Sequence, residues 1–384
     1  MDFSLSEEQL MIQKAAREFA QQDCLPGVID RDEKQKFPLE QVEKLADLGF
    51  LGMMTDPQFG GAGMDTISYV LAMEEISKVD ASVSVCMSVN NSLVCWGIEH
   101  YGNEAQKNKY LTPLAHGKKD GLLYVGAFLL SEPEAGSDAT HQHTSAIEDG
   151  DHYILNGVKN WITNGSTASV YLVMAQTDAS KGSKGINAFI VEKNWPGVNV
   201  GVKENKMGIR GSDTHAISFT DVKVPKENRI GADGFGFSFA MKTLNGGRIG
   251  IAAQALGIAS GAYELALAYS KERKSFGKPI HEHQAIQFKL AEMATRIQSA
   301  RYLCYLAAWE KDHGMDYTTT AAMAKLHASD TAMWVTTEAV QVHGGYGFVK
   351  EFHVERLMRD AKITQIYEGT SEIQKMVIGR NITR

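Results

Sequence analysis

The chain has 384 residues, 43% of them hydrophobic and 22% charged, with 39 Lys and Arg against 46 Asp and Glu for a net charge of -7. That length allows two or three domains with substantial cores. The acidic balance argues against nucleic acid, whose phosphates need clustered Lys and Arg, and no stretch reaches the roughly 20 apolar residues of a membrane span.

In chain order, Met1-Asp2-Phe3-Ser4 carries neither a basic nor an apolar targeting segment. Cys24, Cys86, Cys95 and Cys304 form no CxxC pair. Both observations predict a soluble protein of a reducing compartment, cytoplasmic or, after loss of a presequence, in an organellar matrix. Residues 1–120 read as an α-helical domain. Ser6-Glu7-Glu8-Gln9 fits a capping box ahead of an apolar-periodic run, and Pro38-Leu39-Glu40 opens a helix that stops near Gly49. Phe59-Gly60-Gly61-Ala62-Gly63 reads as a loop, since no strand precedes it and no Lys-Ser/Thr follows.

Residues 121–232 change texture. Asn156-Gly157 between two β-rich runs predicts a hairpin turn. Further strands are expected at 170–175, 186–192 and 215–219, giving an antiparallel β domain of sandwich or barrel type. Residues 233–384 turn helical again. Ile286, Leu290, Met293, Ile297, Ala300, Leu303 and Ala307 recur in steps of three and four, the mark of one buried stripe. With a helix after Gly234, one over about 318–342 and a short C-terminal one, four helices make a bundle. The fold class is therefore α+β multidomain: an α-helical domain, a β domain and a four-helix bundle.

The segment richest in chemistry is Ile366-Tyr367-Glu368-Gly369-Thr370-Ser371-Glu372-Ile373-Gln374. A carboxylate on a short turn between helices can be aimed closely, Gly369 permits close backbone approach, and Thr370 or Ser371 can cap the next helix. Read alone, a carboxylate beside a glycine is a solvated helix end. Five more segments accompany it: Ser131 to Asp138 (SEPEAGSD), Trp161 to Gly165 (WITNG), Glu272 to Lys278 (ERKSFGK), Gln341 to Gly347 (QVHGGYG) and Arg359 to Ile363 (RDAKI). In this order and spacing the six resemble the acyl-CoA dehydrogenase family of flavoenzymes, and the resemblance runs from Phe3 to the last residue.

The resemblance implies an FAD enzyme that removes a proton α to a thioester and a hydride from the β carbon. It assigns the base to Glu368, whose own N–H would also meet the thioester oxygen. Isovaleryl-type members carry the base just before the equivalent of Arg248; this chain has Gly247 there, which cannot abstract a proton. By position, Phe128, Leu130, Ser131, Trp161, Ile162 and Thr163 would lie at the isoalloxazine ring, although Trp161 alone could equally be a hairpin core residue. Arg273, Ser275, Phe276 and Gln284 would meet the pyrophosphate and adenosine across a subunit interface. There Gln341, Val342, His343, Gly344 and Gly345 would approach a phosphate, and Thr370 and Glu372 would complete the site. Relatives commonly have an apolar residue or Thr at the position of Ser275.

For the substrate, Ser137 would contact the CoA arm and Asn245 and Arg248 its nucleotide end, with Tyr367 and Gly369 beside the base. Many relatives have Asp in place of Asn245, and Arg248 also reads as a structural ion-pair partner. Gln254 and Thr364 resemble short-chain members and would floor the acyl slot, which implies a butyryl-CoA-like substrate; equally, Gln254 could face another helix and Thr364 merely cap one. Glutaryl members place an arginine at the acyl end, and residues 82–96 hold none. The resemblance further implies a homotetramer that passes electrons to an electron-transfer flavoprotein. Open alternatives are an enoyl-CoA reductase running the same site in reverse, a branched-chain or glutaryl-CoA enzyme, and a helical scaffold that has lost catalysis. His141-Gln142-His143 and His281-Glu282-His283 lack a third ligand at metal-binding spacing, so no metal is expected.

Overall fold

Helices occupy the chain up to His116, strands follow from Lys118 to Ile230, and helices return at Gly236. This computed structural model describes residues 4–383; Met1, Asp2, Phe3 and Arg384, on which the targeting reading and the ends of the resemblance fall, lie outside the described residues. The helical opening comprises α1 (Glu7–Phe19), α2 (Val28–Glu33), α3 (Leu39–Asp47), α4 (Thr66–Ser77), α5 (Ala81–Ser88), α6 (Trp96–Tyr101), α7 (Glu104–Gln106) and α8 (Thr112–His116). Its start is fixed by the expected capping box. Ser6 Oγ accepts from the Gln9 N–H at 3.1 Å and Gln9 Oε1 from the Ser6 N–H at 3.0 Å. Helix α3 opens after Pro38 and stops at Gly49, whose φ of +72° ends it.

One main sheet of the middle region runs in the order β10 (Arg229–Ile230), β7 (Ile186–Glu192), β6 (Val170–Gln176), β4 (Ser145–Asp149), β5 (His152–Thr163), β9 (Thr214–Pro225), β8 (Val198–Lys203), with β3 (Gly126–Leu129) also on β6. A small ribbon of β1 (Lys118–Lys119) and β2 (Leu122–Leu123) precedes it. Two expectations need correcting here. The sheet is not wholly antiparallel, because β3 and β4 both pair with β6 in parallel. Nor is Asn156-Gly157 a hairpin turn: both residues lie inside the single strand β5, at an irregularity opposite β9. Asn156 accepts from the Asp221 N–H at 2.8 Å and donates to its carboxylate at 3.0 Å, so its polar side chain serves the partner strand. Gly157 is there because a Cβ would come within 2.5 Å of Thr144 Oγ1. The turn itself falls at Gly150, between β4 and β5.

The closing region holds α9 (Gly236–Glu272), a two-stranded hairpin of β11 (Lys274–Ser275) and β12 (Lys278–Pro279), α10 (Gln284–Asp312), α11 (Thr318–His343), α12 (His353–Ile363) and α13 (Ser371–Ile382). Among the described residues it thus has one helix more than the expected four: α12, eleven residues long, buries Val354, Leu357 and Ala361 at helical spacing. On α10 the expected stripe is inside at Leu290, Met293, Ile297, Ala300 and Ala307. The apolar stretches Ala81–Tyr101 and Gly236–Glu272 are long enough to cross a bilayer, contrary to the expectation that none would be, but 94% and 72% of their apolar windows are buried inside the fold, so both are core helices. All four cysteines are buried and unpaired.

Helix α12 carries the RDAKI segment and ties the three regions together. Asp360 accepts from the Ile209 N–H at 2.5 Å and from Arg356 at 2.8 Å, and Arg356 also donates to the Val79 carbonyl at 2.7 Å. Arg359 reaches Asp32 at 2.7 Å and the Met207 carbonyl at 3.1 Å. A helix anchored at this many points fixes where the chain emerges after Ile363, and Glu368 lies in the turn that follows.

Candidate active site

Between α12 and α13 the chain makes one tight connection. Thr364 closes α12 with its hydroxyl on the Ala361 carbonyl at 2.7 Å, and Thr370 opens α13 by accepting from the Ile373 N–H at 3.3 Å. Glu368 sits between them at φ +52°, followed by Gly369 at +93°. A left-handed conformation costs a residue with a Cβ about 1–2 kcal/mol, so its neighbours must impose it. The N–H of Glu368 has no hydrogen-bond partner among the described residues. Its carboxylate Oε2 is enclosed and equally without a partner. Burial pushes the Glu368 carboxyl up to about 7, against the pull of Lys325 and Arg248.

Position 247 faces this carboxylate directly, since a Cβ on Gly247 would lie 2.0 Å from Glu368 Oε2. Arg248, one residue on, is buried; its Nη1 donates to Asn245 Oδ1 at 2.7 Å and its Nε is enclosed without a partner. No ion pair closes on it among the described residues, so the structure does not bear out the ion-pair alternative. The Asn245 amide donates in turn to Thr318 Oγ1 at 3.1 Å.

Gln254 and Thr364 are both wholly buried. Gln254 donates to the Ala81 carbonyl at 2.9 Å and to Ser84 Oγ at 3.2 Å, and accepts from the Tyr367 hydroxyl. It therefore joins α9 to α5 and to the residue before the base. Thr364 caps its own helix, as the blander reading had it.

Two further groups at this turn escaped sequence reasoning. Lys325, wholly buried on α11, donates to the Gly369 carbonyl at 2.7 Å, and Gln374 of α13 donates to the same carbonyl at 2.8 Å. Lys325 did leave a signal: it interrupts the stripe Ala321, Ala328, Ala332, all fully buried, at helical spacing.

On β3, Ala127 and Leu129 point into the core while Phe128 is half-buried on the opposite face, and Leu130 and Ser131, half-buried too, follow it. The SEPEAGSD carboxylate, Glu132, is structural. It accepts from the His143 and Thr144 N–H groups at 2.5 and 3.0 Å and pairs at 2.8 Å with buried Lys159, which also holds the Leu130 carbonyl at 3.0 Å. Trp161 sits at φ +62°, where β5 slips register against β9, and is 61% exposed. It is not a core residue. Ile162 is: its side chain packs in the β core, which leaves only its backbone for a ligand, while Thr163 is half-buried. Ser137 is exposed on the following loop.

The remaining residues gather elsewhere. Phe276, 97% exposed at φ +49°, and Gly277 form the turn of the β11–β12 hairpin. Ser275 Oγ lies 3.3 Å from His283 Nε2, and Gln284 is exposed at the start of α10. Arg273 lies over Tyr346, its guanidinium carbon 5.7 Å from the ring centre. Arg273, Tyr269, Val342, His343, Gly344 and Gly345 line a cavity of about 540 Å³ to which Glu368 and Trp161 do not contribute. Gln341 is exposed beside it, and Glu372, exposed in the first turn of α13, is held below the usual carboxylate range by its own N–H and the Thr370 hydroxyl. Among the described residues no three His, Cys, Asp or Glu side chains converge as metal ligands; His281 and Glu282 form the turn before α10.

The sequence matches the acyl-CoA dehydrogenase N-terminal domain over residues 6–118, the middle domain over 127–222 and the C-terminal domain over 234–383. It is 51% identical to the short-chain specific acyl-CoA dehydrogenase of Clostridium acetobutylicum, over the whole of both chains. The structure superposes on butyryl-CoA dehydrogenase from Megasphaera elsdenii with a TM-score of 0.97 at 50% identity, covering 100% of each chain. The same score, identity and coverage hold for a chain of a structure concerned with the electron transferring flavoprotein of Acidaminococcus fermentans and flavin-based electron bifurcation.

Proposed function

Because the chain belongs to the acyl-CoA dehydrogenase family along its length, we propose that it converts a short saturated acyl-CoA, butyryl-CoA-like, to the trans-2-enoyl-CoA, with Glu368 as the base. The observation that carries this reading is the enclosed, unpartnered Glu368 carboxylate, raised by burial to about 7 beside its own free N–H. A carboxylate in water is too weak a base for a thioester α-proton; one whose pKa approaches the operating pH is suited to it.

The cofactor is FAD, as in the family, and when bound it supplies the two-electron acceptor for the β-hydride that no side chain can be. The residues fit such a group: an exposed Trp161, the half-buried Phe128 and Leu130 and the hydroxyls of Ser131 and Thr163 offer an apolar face with a polar edge. Glu368 Oε2 takes the α-proton, and the Glu368 N–H meets the negative charge growing on the thioester oxygen, a donor fixed in advance by the turn. Ser137 would contact the CoA arm, and Asn245 and Arg248, the latter with an unpartnered Nε, its nucleotide end. Tyr367 and Gly369 flank the base, and the buried Gln254 with Thr364 would keep a longer tail out.

Arg273, Ser275, Phe276, Gln284 and Gln341 to Gly345 would hold the pyrophosphate and adenosine end of a neighbouring subunit's FAD, with Thr370 and Glu372 completing each site. A cavity lined by Arg273 and Gly344 but not by Glu368, and a fully exposed Phe276, support an assembly of this kind, a homotetramer. The electron acceptor is an electron-transfer flavoprotein, and the compartment is the cytoplasm or an organellar matrix; relatives include bacterial and mitochondrial enzymes.

A second reading runs the same site as an enoyl-CoA reductase. Similarity to a chain from a structure concerned with flavin-based electron bifurcation favours it. The test is a visible spectrum followed by anaerobic titration with butyryl-, octanoyl-, isovaleryl- and glutaryl-CoA, with Glu368→Gln as control. Bleaching of the flavin band by butyryl-CoA alone, absent in the variant, is expected. A colourless protein that rejects FAD, or a variant that bleaches normally, would sink the assignment.

A further inference from the structure

The left-handed turn at Glu368 is held by donors from two helices. Lys325 Nζ of α11 and Gln374 Nε2 of α13 both donate to the Gly369 carbonyl, at 2.7 and 2.8 Å, and Gln374 also reaches the Glu368 carbonyl at 3.3 Å. Lys325 stands fully buried in a stripe that is otherwise alanine. An ammonium in such a place costs far more than an apolar side chain unless its surroundings use its charge. No carboxylate lies within ion-pair distance of it among the described residues. The groups that act on it are Glu368, Asp330 and Glu372, which favour its charge, and Arg248, which opposes it; Glu368 in turn faces Lys325 and Arg248. Burial lowers Lys325 to about 8, so it is still largely charged at pH 7.

We propose that Lys325 is a positioning residue for the reaction: it clamps the Gly369 carbonyl so that the turn presents both the carboxylate and the N–H of Glu368 to one acyl group, and it keeps a positive charge beside that carboxylate. The proposal rests on Glu368 being the base. Its two parts separate experimentally. Lys325→Met keeps the stem but removes donor and charge, Lys325→Arg keeps the charge, and Gln374→Leu removes the other clamp with no change of charge.

The experiment measures, for each variant and for Glu368→Gln, FAD content, the pH profile of kcat/KM with butyryl-CoA, and exchange of the α-hydrogens of butyryl-CoA with D2O. Lys325→Met should retain FAD while exchange and turnover fall together by about 10²-fold, the cost of a base displaced by about 1 Å. Its acidic limb should move up by about one pH unit, because the carboxylate loses a neighbouring cation. Lys325→Arg should leave the limb in place. Gln374→Leu should slow exchange without moving the limb, and it tests the clamp even if Lys325→Met does not fold. A Lys325→Met enzyme with a wild-type limb and wild-type exchange overturns the proposal, as does an arginine variant whose limb moves as far. Retained exchange in Glu368→Gln instead removes the base assignment, and Lys325's role with it.

Discussion

A single methyl group placed on Gly247 should disable the base while leaving the fold intact. A Cβ there would lie 2.0 Å from Glu368 Oε2, 3.0 Å from its Cδ and 2.8 Å from Leu93 Cδ2. Ordinary contact begins at 3.4 Å, so Oε2 must retreat by about 1.4 Å. The carboxylate is the free end of a flexible side chain and makes no hydrogen bond through Oε2, so the move itself costs little stability. Alanine in a helix interior is favoured over glycine by about 1 kcal/mol, which works in the variant's favour. Catalysis has no such slack. A displacement of about 1 Å at the reacting group costs about 10²-fold, close to 2.7 kcal/mol of barrier. Gly247→Ala should therefore bind FAD and melt near the wild-type temperature, with kcat for butyryl-CoA reduced about 10²-fold. Gly246→Ala is the control, since its Cβ would find only the Ser92 carbonyl, 3.8 Å away. A Gly247→Ala enzyme with FAD bound and full turnover would refute the reasoning.

Other outcomes follow from the same geometry. Glu368→Gln should lower turnover by 10²-fold or more, with FAD content unchanged by visible absorbance, because the amide cannot accept the α-proton. Since burial raises Glu368 to about 7, kcat/KM should rise tenfold per pH unit on the acid side and level off above about pH 7; a limb near 4.5 would mean that the carboxylate is solvated. Gln254→Ala should admit longer acyl chains, read as a rise in the octanoyl-to-butyryl ratio of kcat/KM. It should also cost about 1–3 kcal/mol in denaturant unfolding, because the Tyr367 hydroxyl loses its acceptor. Phe276→Asp should weaken both FAD retention and the tetramer, measured by light scattering; an FAD-replete tetramer would show that the exposed hairpin tip serves no interface.

What the sequence disclosed and what it hid divide along physical lines. Local signals were legible: the Ser6–Gln9 capping box, the stop at Gly49, the α10 stripe and the cap at Thr370 all depend on residues within a turn or two of one another. Asn156-Gly157 misled because the dipeptide suits any position that tolerates unusual backbone geometry, and here a cross-strand partner, Asp221, decided its use. Lys325 was hidden for a related reason: lysines in helices are almost always solvated, and the packing of α11 against α9 and the Glu368 turn makes this one internal. Ile162 was placed with the ring-facing residues by its neighbours in the motif, whereas the register slip at Trp161 breaks the strand's alternation and turns Ile162 inward. Residues contributed by the fold rather than by a motif are the ones that a linear reading loses.

The same distinction bears on chain length. Along α9 the positions that face α4 and α5 are Gly250, Gln254, Gly257 and Gly261, spaced at i, i+4, i+7 and i+11. Each glycine is obliged: a Cβ would strike the Tyr69 hydroxyl at 2.5 Å, the Glu74 carbonyl at 2.4 Å or the Lys78 carbonyl at 2.3 Å. Helices in such close contact leave room for one long side chain only if it is bonded at its tip, and Gln254 is, to Ala81, Ser84 and Tyr367. If Gln254 floors the acyl slot, as proposed above, a longer acyl tail would have to break these bonds and leave the amide and the phenol unpaired. That penalty grows with the polar groups uncovered while each added methylene returns only about 0.8 kcal/mol. A hydrogen-bonded floor therefore rejects long chains more sharply than an apolar wall of the same volume would, because an apolar wall can repack around a tail and a satisfied amide cannot.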